Sequence, residues 1–160
     1  MQYKLVIFDV DGTLVTTKSG KDFRKGADDW QWLPGRLEKC QELYSSGVKI
    51  AVATNQGGVA FGFLSKEEIT HEIVRVVGDI TGIAYYPSAV NICYTHPKAS
   101  IEEYRQDDVR RKPGPGMLIE AMETFGTTPQ ETLMAGDRPE DEQSARNAGV
   151  AFMWADEFFN

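Results

Sequence analysis

Two aspartates stand two residues apart in Phe8-Asp9-Val10-Asp11-Gly12-Thr13-Leu14, directly after the apolar run Leu5-Val6-Ile7-Phe8. Paired carboxylates at the exit of a buried strand form a hard, oxygen-rich site, which suits magnesium held together with substrate phosphate. In such a site Asp9 can attack phosphorus, while Asp11 protonates the leaving oxygen and then activates water. Gly12 allows the chain to turn away sharply. An Asp-Gly pair alone signals only a turn; the longer string after an apolar strand points to chemistry.

Three further segments could join that pair. Ala53-Thr54-Asn55-Gln56-Gly57-Gly58 offers a hydroxyl and backbone N–H groups that can cradle phosphate oxygens. Alone it reads sooner as a strand-to-helix loop with a capping threonine. Arg110-Arg111-Lys112-Pro113-Gly114 brings Lys112 to neutralise phosphate charge and to hold Asp9 ionised. Alone it reads as a solvated basic loop. Ala135-Gly136-Asp137-Arg138-Pro139-Glu140-Asp141 supplies Asp137 to complete a metal site, with Asp141 supporting it from behind. Alone it reads as an acidic helix start.

The elements between these segments decide whether they can meet. Residues 4–9, 48–53, 89–94, 132–135 and 150–154 read as short buried strands. Helical patterns alternate with them. One covers 36–46, with Leu37, Leu43 and Tyr44 on one face, and another follows the capping box Ser65/Glu68 with Ile69, Ile73, Val76, Val77 and Ile80 inward. A third opens at Pro115 with Leu118, Ile119, Met122 and Phe125 inward, and a fourth runs from about 140 to 148. Strand–helix alternation specifies an α/β fold: a doubly wound, mainly parallel sheet with helices on both faces. Ligands of such sheets lie beyond the carboxyl ends of the strands. Asp9, Thr54 and Asp137 fall at or just past such ends, so four distant segments can converge on one edge.

The bulk numbers agree. A chain of 160 residues that is 41% apolar suits one domain spanning 1–160. A net charge of -7 argues mildly against a general nucleic-acid coat or a membrane surface. No apolar run approaches the ~18 residues a membrane span needs. Two cysteines far apart, Cys40 and Cys93, make no disulfide framework, and a cytoplasmic setting is expected.

Taken in order, nucleophile and metal, hydroxyl, lysine, metal, the four segments resemble the motifs of the haloacid-dehalogenase-like phosphatase superfamily, over nearly the whole chain. The resemblance implies a magnesium-dependent phosphomonoesterase with an aspartyl-phosphate on Asp9. It assigns Asp9, Asp11 (through its carbonyl) and Asp137 to the metal, Asp11 to acid and base work, and Thr54 and Lys112 to the phosphoryl group. A binding module that kept only the fold would be expected to have lost Asp9, Asp11, Lys112 or Asp137; all four are present. Many relatives carry a cap domain. Only 43 positions separate Asp11 from Thr54 and 58 separate Thr54 from Lys112, which leaves no room for a large one.

Two capless relatives compete. The stretch from Cys93 through His96 to Lys112 resembles heptose-bisphosphate and histidinol-phosphate phosphatases, whose loop usually holds zinc. Thr95, Asp108 and Arg110 stand where the other ligands would be, so no structural zinc is expected. His96 falls one place off the ligand position and reads as a structural loop residue. The segment Thr16-Thr17-Lys18-Ser19-Gly20-Lys21-Asp22-Phe23, followed by Asp28-Asp29-Trp30, is similar to polynucleotide 3′-phosphatases. Its Lys18, Lys21, Arg24 and Lys25, with Arg105, Arg110, Arg111 and Lys112, would form a positive mouth; a mobile solvated hairpin is the alternative. Trp30 and Trp32 are expected to pack onto the domain. Lys18, Lys21, Asn55 and Arg111 are the expected substrate-binding residues. The overall acidity favours a small sugar or metabolite phosphate, and a nucleic-acid 3′ end is the second candidate.

Overall fold

The computed structural model describes residues 2–160. Five parallel strands form one sheet: β1 (Leu5–Phe8), β4 (Lys49–Asn55), β5 (Val90–Cys93), β6 (Thr132–Gly136) and β7 (Ala151–Trp154), in the order β5-β4-β1-β6-β7. β2 (Val15–Thr16) and β3 (Gln31–Trp32) pair antiparallel as a separate small hairpin. Helices α1 (Arg36–Ser45), α2 (Lys66–Thr81), α3 (Gly116–Phe125), α4 (Pro139–Ala148) and α5 (Ala155–Phe159) complete the chain.

β1 takes the centre because all four of its residues are apolar and fully buried, leaving no face for water. Its pleat feeds two cores. Val6 and Phe8 face Cys40 of α1 and Ile69, Ile73 and Val76 of α2. Leu5 and Ile7 face Met117, Leu118 and Ala121 of α3 and Ala145 of α4. Each such side chain contributes about 1.5–3 kcal/mol by leaving water, so a register slip of one residue would exchange the two cores. In the observed register Phe8 lies opposite Val52 of β4 and Ala135 of β6. β6 therefore ends one residue beyond β1 and β4 three residues beyond it, at the point where the strand order reverses on either side of β1. That is where an α/β sheet opens a crevice.

α2 starts at the expected capping box: Glu68 N–H donates to Ser65 Oγ at 3.1 Å, and Ser65 N–H to Glu68 Oε1 at 3.1 Å. Its buried stripe holds the five expected aliphatic residues and also Glu72, which is 2% exposed. In α3 the inward residues are Met117, Leu118, Ala121 and Met122. Ile119 is 40% exposed, contrary to expectation, because it lies about 60° round the helix beyond the edge of that stripe. Trp30 is buried in the core under α2, and Trp32 packs against the same core while donating its indole N–H to Asp79 at 2.9 Å. No cap domain is inserted: only the β2–β3 hairpin and α1 lie between β1 and β4, and only α2, β5 and short turns between β4 and α3. Among the described residues no helix is long and apolar enough to cross a membrane.

Candidate active site

The edge of the sheet beyond β1, β4 and β6 carries a cleft of about 1000 Å³ whose lining includes Asp9, Asp11, Asn55, Gln56, Lys112 and Asp141. At its floor Lys112 is 3% exposed, and its Nζ donates to Asp9 Oδ1 at 2.8 Å and to Asp141 Oδ1 at 2.6 Å. Burial opposes the lysine's charge, but the two carboxylates outweigh it and its pKa is raised. Burial also pushes the Asp9 carboxyl well above the usual carboxylate range against the pull of Lys112, with Asp141 and Asp137 adding to the push.

Asp141 is spent on positioning. Its Oδ2 accepts the backbone N–H groups of Asp137 and Arg138, both at 3.1 Å, at the start of α4. Asp9, Asp137 and Asp141 bring carboxylate oxygens within 4.8 Å of one another. Thr13 Oγ1 donates to Asp137 Oδ1 at 3.1 Å. Three carboxylates, Asp9 and Asp141 buried and Asp137 exposed, share this space with one ammonium group. An oxygen-rich, net-negative cluster of this kind fits a small divalent cation. Gly12 is required here twice over: its φ is +83°, and a β-carbon on it would collide with the Asp137 carboxylate.

Thr54 is buried at the end of β4, and its Oγ1 accepts Gln56 Nε2 at 2.8 Å. Asn55, expected to bind substrate, is instead committed to the Lys112 backbone. Its Nδ2 donates to Lys112 O at 2.9 Å, and its Oδ1 accepts Lys112 N–H at 3.0 Å. A side chain with both ends paired to one peptide braces the lysine loop, while its second amide hydrogen faces no protein partner among the described residues and Asn55 remains part of the cleft lining.

Asp11 faces the other wall. Its Oδ1 accepts Arg24 Nη2, and its Oδ2 accepts Gln56 Nε2 at 2.9 Å. The same guanidinium donates through Nε and Nη2 to the two oxygens of Glu72. Burial raises Glu72 to about 7 against the opposing pull of Arg24.

This arrangement corrects the expected positive mouth. Arg24 is neutralised by Asp11 and Glu72, Lys112 by Asp9 and Asp141, and Arg110 by Glu120. Arg105 turns its Nε to Ala99 O. Of the expected substrate-binding residues, Lys21 and Arg111 line the cleft; Lys18 is exposed and does not. Asp29 pins the segment between β2 and β3 by accepting Ser19 N–H at 2.8 Å, Ser19 Oγ at 2.6 Å and Lys25 N–H at 2.9 Å. His96 also reaches the cleft rim, beside Arg111 and edge-on to Phe61.

In the segment from Cys93 to Arg110, where no structural zinc is expected, hydrogen bonds join the side chains. Thr95 Oγ1 lies 3.2 Å from Cys93 Sγ and donates to Asp108 Oδ2 at 3.2 Å, and Asp108 Oδ1 accepts Arg110 N–H at 2.8 Å. Arg110 Nη1 closes the loop onto Ile92 O at 3.0 Å.

The fold and the site define the chain as a capless haloacid-dehalogenase-like phosphatase. Residues 4–159 match the family model described as Polynucleotide kinase 3 phosphatase, and the chain belongs to that family. It is 32% identical over 152 residues to a D-glycero-beta-D-manno-heptose-1,7-bisphosphate 7-phosphatase of Salmonella typhi, covering 91% of this chain and 76% of the relative. The corresponding Pasteurella multocida enzyme is 29% identical over 154 residues, covering 92% and 78%. Among solved structures, the D,D-heptose 1,7-bisphosphate phosphatase of B. bronchiseptica, complexed with magnesium and phosphate, superposes with a TM-score of 0.75. It is 27% identical, covering 93% of this chain and 78% of that one.

Proposed function

We propose that the chain, acting as one domain over residues 1–160, is a magnesium-dependent phosphomonoesterase that works through an aspartyl-phosphate on Asp9. The observation that carries this is the buried Asp9–Lys112–Asp141 array with Asp137 beside it, at the carboxyl edge of a parallel sheet. Asp9, Asp137 and the Asp11 carbonyl would hold magnesium. When bound, the ion neutralises charge on the phosphoryl oxygens.

In the first step an Asp9 carboxylate oxygen forms a bond to phosphorus as the ester bond to the leaving oxygen breaks. Asp11 gives its proton to that oxygen. In the second, water oxygen bonds to phosphorus, Asp11 takes a water proton, and the Asp9–phosphorus bond breaks. Ester and water become alcohol and inorganic phosphate. Lys112 holds Asp9 in line throughout, and the Thr54 hydroxyl and the N–H groups of residues 55–58 receive the phosphoryl oxygens.

A small phosphorylated sugar is the substrate class we favour. Similarity to heptose-bisphosphate phosphatases over 91–92% of this chain and 76–78% of theirs supports it, as does a cleft of a size suited to one small molecule. The free, buried Cys40 and Cys93 support a reducing, cytoplasmic setting. One observation favours a second reading, a nucleic-acid 3′-phosphate. Phe23 and Phe63, 69% and 62% exposed, meet at the cleft rim with ring centroids 5.8 Å apart, and such rings can stack on a base. Phosphate release with magnesium from heptose 1,7-bisphosphate and from a 3′-phosphorylated oligonucleotide, with Asp9→Asn as control, tests both. Turnover of the sugar alone supports the first reading, and turnover of the oligonucleotide alone replaces it with the second. Equal turnover of both by the wild type and Asp9→Asn would sink the covalent mechanism.

A further inference from the structure

Glu72 should not be where it is. It lies on the buried stripe of α2, between Ile69 and Ile73, with its side chain 1% exposed. A lone ionised carboxylate there would cost several kcal/mol. Its partner is Arg24, from the segment between β2 and β3, whose side chain is only 9% exposed. The guanidinium meets both Glu72 oxygens, a fork geometry that fixes its plane. One of its nitrogens, Nη2, goes on to Asp11 Oδ1.

We propose that Arg24 is a positioning residue for Asp11: seated on Glu72, it clamps Asp11 Oδ1 and leaves Oδ2 as the oxygen that handles the proton. The proposal rests on the reading of Asp11 as acid and base. The two Asp11 oxygens are held unequally. Oδ1 takes a charge-assisted bond from an immobilised guanidinium. Oδ2 takes one bond from a neutral amide, Gln56 Nε2 at 2.9 Å, which is shared with Thr54 Oγ1 at 2.8 Å. A guanidinium adds a full opposite charge that the amide lacks, so Oδ2 is the oxygen released at lower cost, on the side where a phosphoryl group would engage Thr54.

In the first step the O–H bond at Oδ2 breaks, and its proton goes to the leaving oxygen as that oxygen parts from phosphorus. In the second, Oδ2 takes a proton from the attacking water. Arg24 touches no reacting atom in either. An arginine that only tied its segment to α2 would need the Glu72 contacts alone; the contact with Asp11 is the additional feature. Lysine, a point charge, cannot grip both Glu72 oxygens in a fixed plane while reaching Asp11 as the fork does.

The test compares kcat/KM for phenyl phosphate and 2,4-dinitrophenyl phosphate, with magnesium. The two differ in whether the departing oxygen needs a proton, and the dinitrophenyl ester reports on intact, folded enzyme. For Asp11→Asn the phenyl-to-dinitrophenyl ratio should fall ~100-fold or more, within the range of general acid catalysis. For Arg24→Met it should fall ~10–100-fold, since a misplaced acid forfeits part of the same factor. Arg24→Lys and Glu72→Gln, which preserve bulk, should each lower it about 3–10-fold by loosening the clamp. Equal losses on both esters in the Arg24 and Glu72 variants would overturn the proposal and leave Arg24 a structural anchor. If Arg24→Met does not fold, an unchanged ratio in both Arg24→Lys and Glu72→Gln overturns it equally. An unchanged ratio in Asp11→Asn would sink the acid role of Asp11 and the proposal with it, a failure told apart by that variant alone.

Discussion

Asp9 and Asp11 leave the same strand two residues apart and enter different surroundings. Asp9 is 6% exposed, at the floor, and its near partner is a lysine that arrives from 103 residues away. The Asp11 side chain is 38% exposed, on the wall, and its partners come from a neighbouring hairpin segment and the loop after β4. Two like groups acquire two tasks when their environments differ this much. The floor is dry, closely paired and rigid, as covalent chemistry at a fixed phosphorus demands. The wall is partly wet and held in part by a neutral amide, which a group that must exchange protons with an incoming molecule requires.

Removing the Asp9 carboxylate breaks the contrast most severely. Asp9→Asn keeps the shape and loses the nucleophile, and turnover should fall by at least ~10⁴-fold, as when other covalent nucleophiles are removed. Single-turnover assays with magnesium measure it. Stripping the metal with a chelator should abolish phosphate release to a similar degree, and restored magnesium should recover it; a rate indifferent to chelation would remove the cation from the Asp9–Asp137 cluster.

Lys112→Met separates what the floor does for catalysis from what it does for the fold. The ammonium group should contribute ~10²–10³ in kcat by stabilising phosphoryl charge. Its loss also leaves Asp9 and Asp141 buried face to face, and breaking one partner out of a buried pair costs about 3–5 kcal/mol. Chemical denaturation should therefore show a large loss of stability together with the loss of rate. Asp11→Asn, by comparison, should lose rate with little stability, because its side chain reaches water. If both variants were equally destabilised, the distinction between floor and wall would fail.

Gly12→Ala tests the junction between the two. A β-carbon there would strike the Asp137 carboxylate and force a side chain into a positive φ. Both effects displace a cation-binding group, so the magnesium concentration for half-maximal activity should rise ~10-fold or more, given the ~10–100-fold sensitivity of metal sites to such support.

Part of the site is legible in the sequence, because Asp9, Thr54 and Asp137 stand at or directly beyond the ends of short apolar strands and strand ends converge by rule. Asp9, Thr54 and Asp137 needed only the strand pattern; Lys112 needed the motif order as well. The wall was less legible. Nothing in the Thr54 motif gives Gln56 a role, and Arg24 reads as one charge of a positive mouth. Glu72 drew no notice, though a carboxylate at a helical stripe position between Ile69 and Ile73 is a signal that a cation must meet it. The pairing itself is tertiary: 48 residues separate Arg24 from Glu72, with α1 and β4 between them, and no local pattern states which cation comes. The Asn55 brace is tertiary as well, since a polar residue beside Thr54 gives no sign that its amide pairs with the Lys112 peptide.

The smallest expected effect lies on the wall's outer rim, where Lys18 and Lys21 look interchangeable by type. Lys21 lines the cleft and Lys18 does not. An exposed ammonium near a phosphorylated substrate acts through a screened field with a Debye length of about 8 Å at physiological ionic strength. Lys21→Ala should therefore raise KM about 3–10-fold with kcat nearly unchanged, the mark of binding shared equally by ground and transition states. Lys18→Ala should change either constant by less than about 2-fold, as expected of a screened surface charge. Raising salt should shrink the Lys21 effect and leave the Asp11 and Lys112 effects in place, because those groups act through direct, partly or fully buried contacts. Equal responses of the two lysines would mean that the segment between β2 and β3 acts as a general positive field, and the specific wall would then end at Arg24.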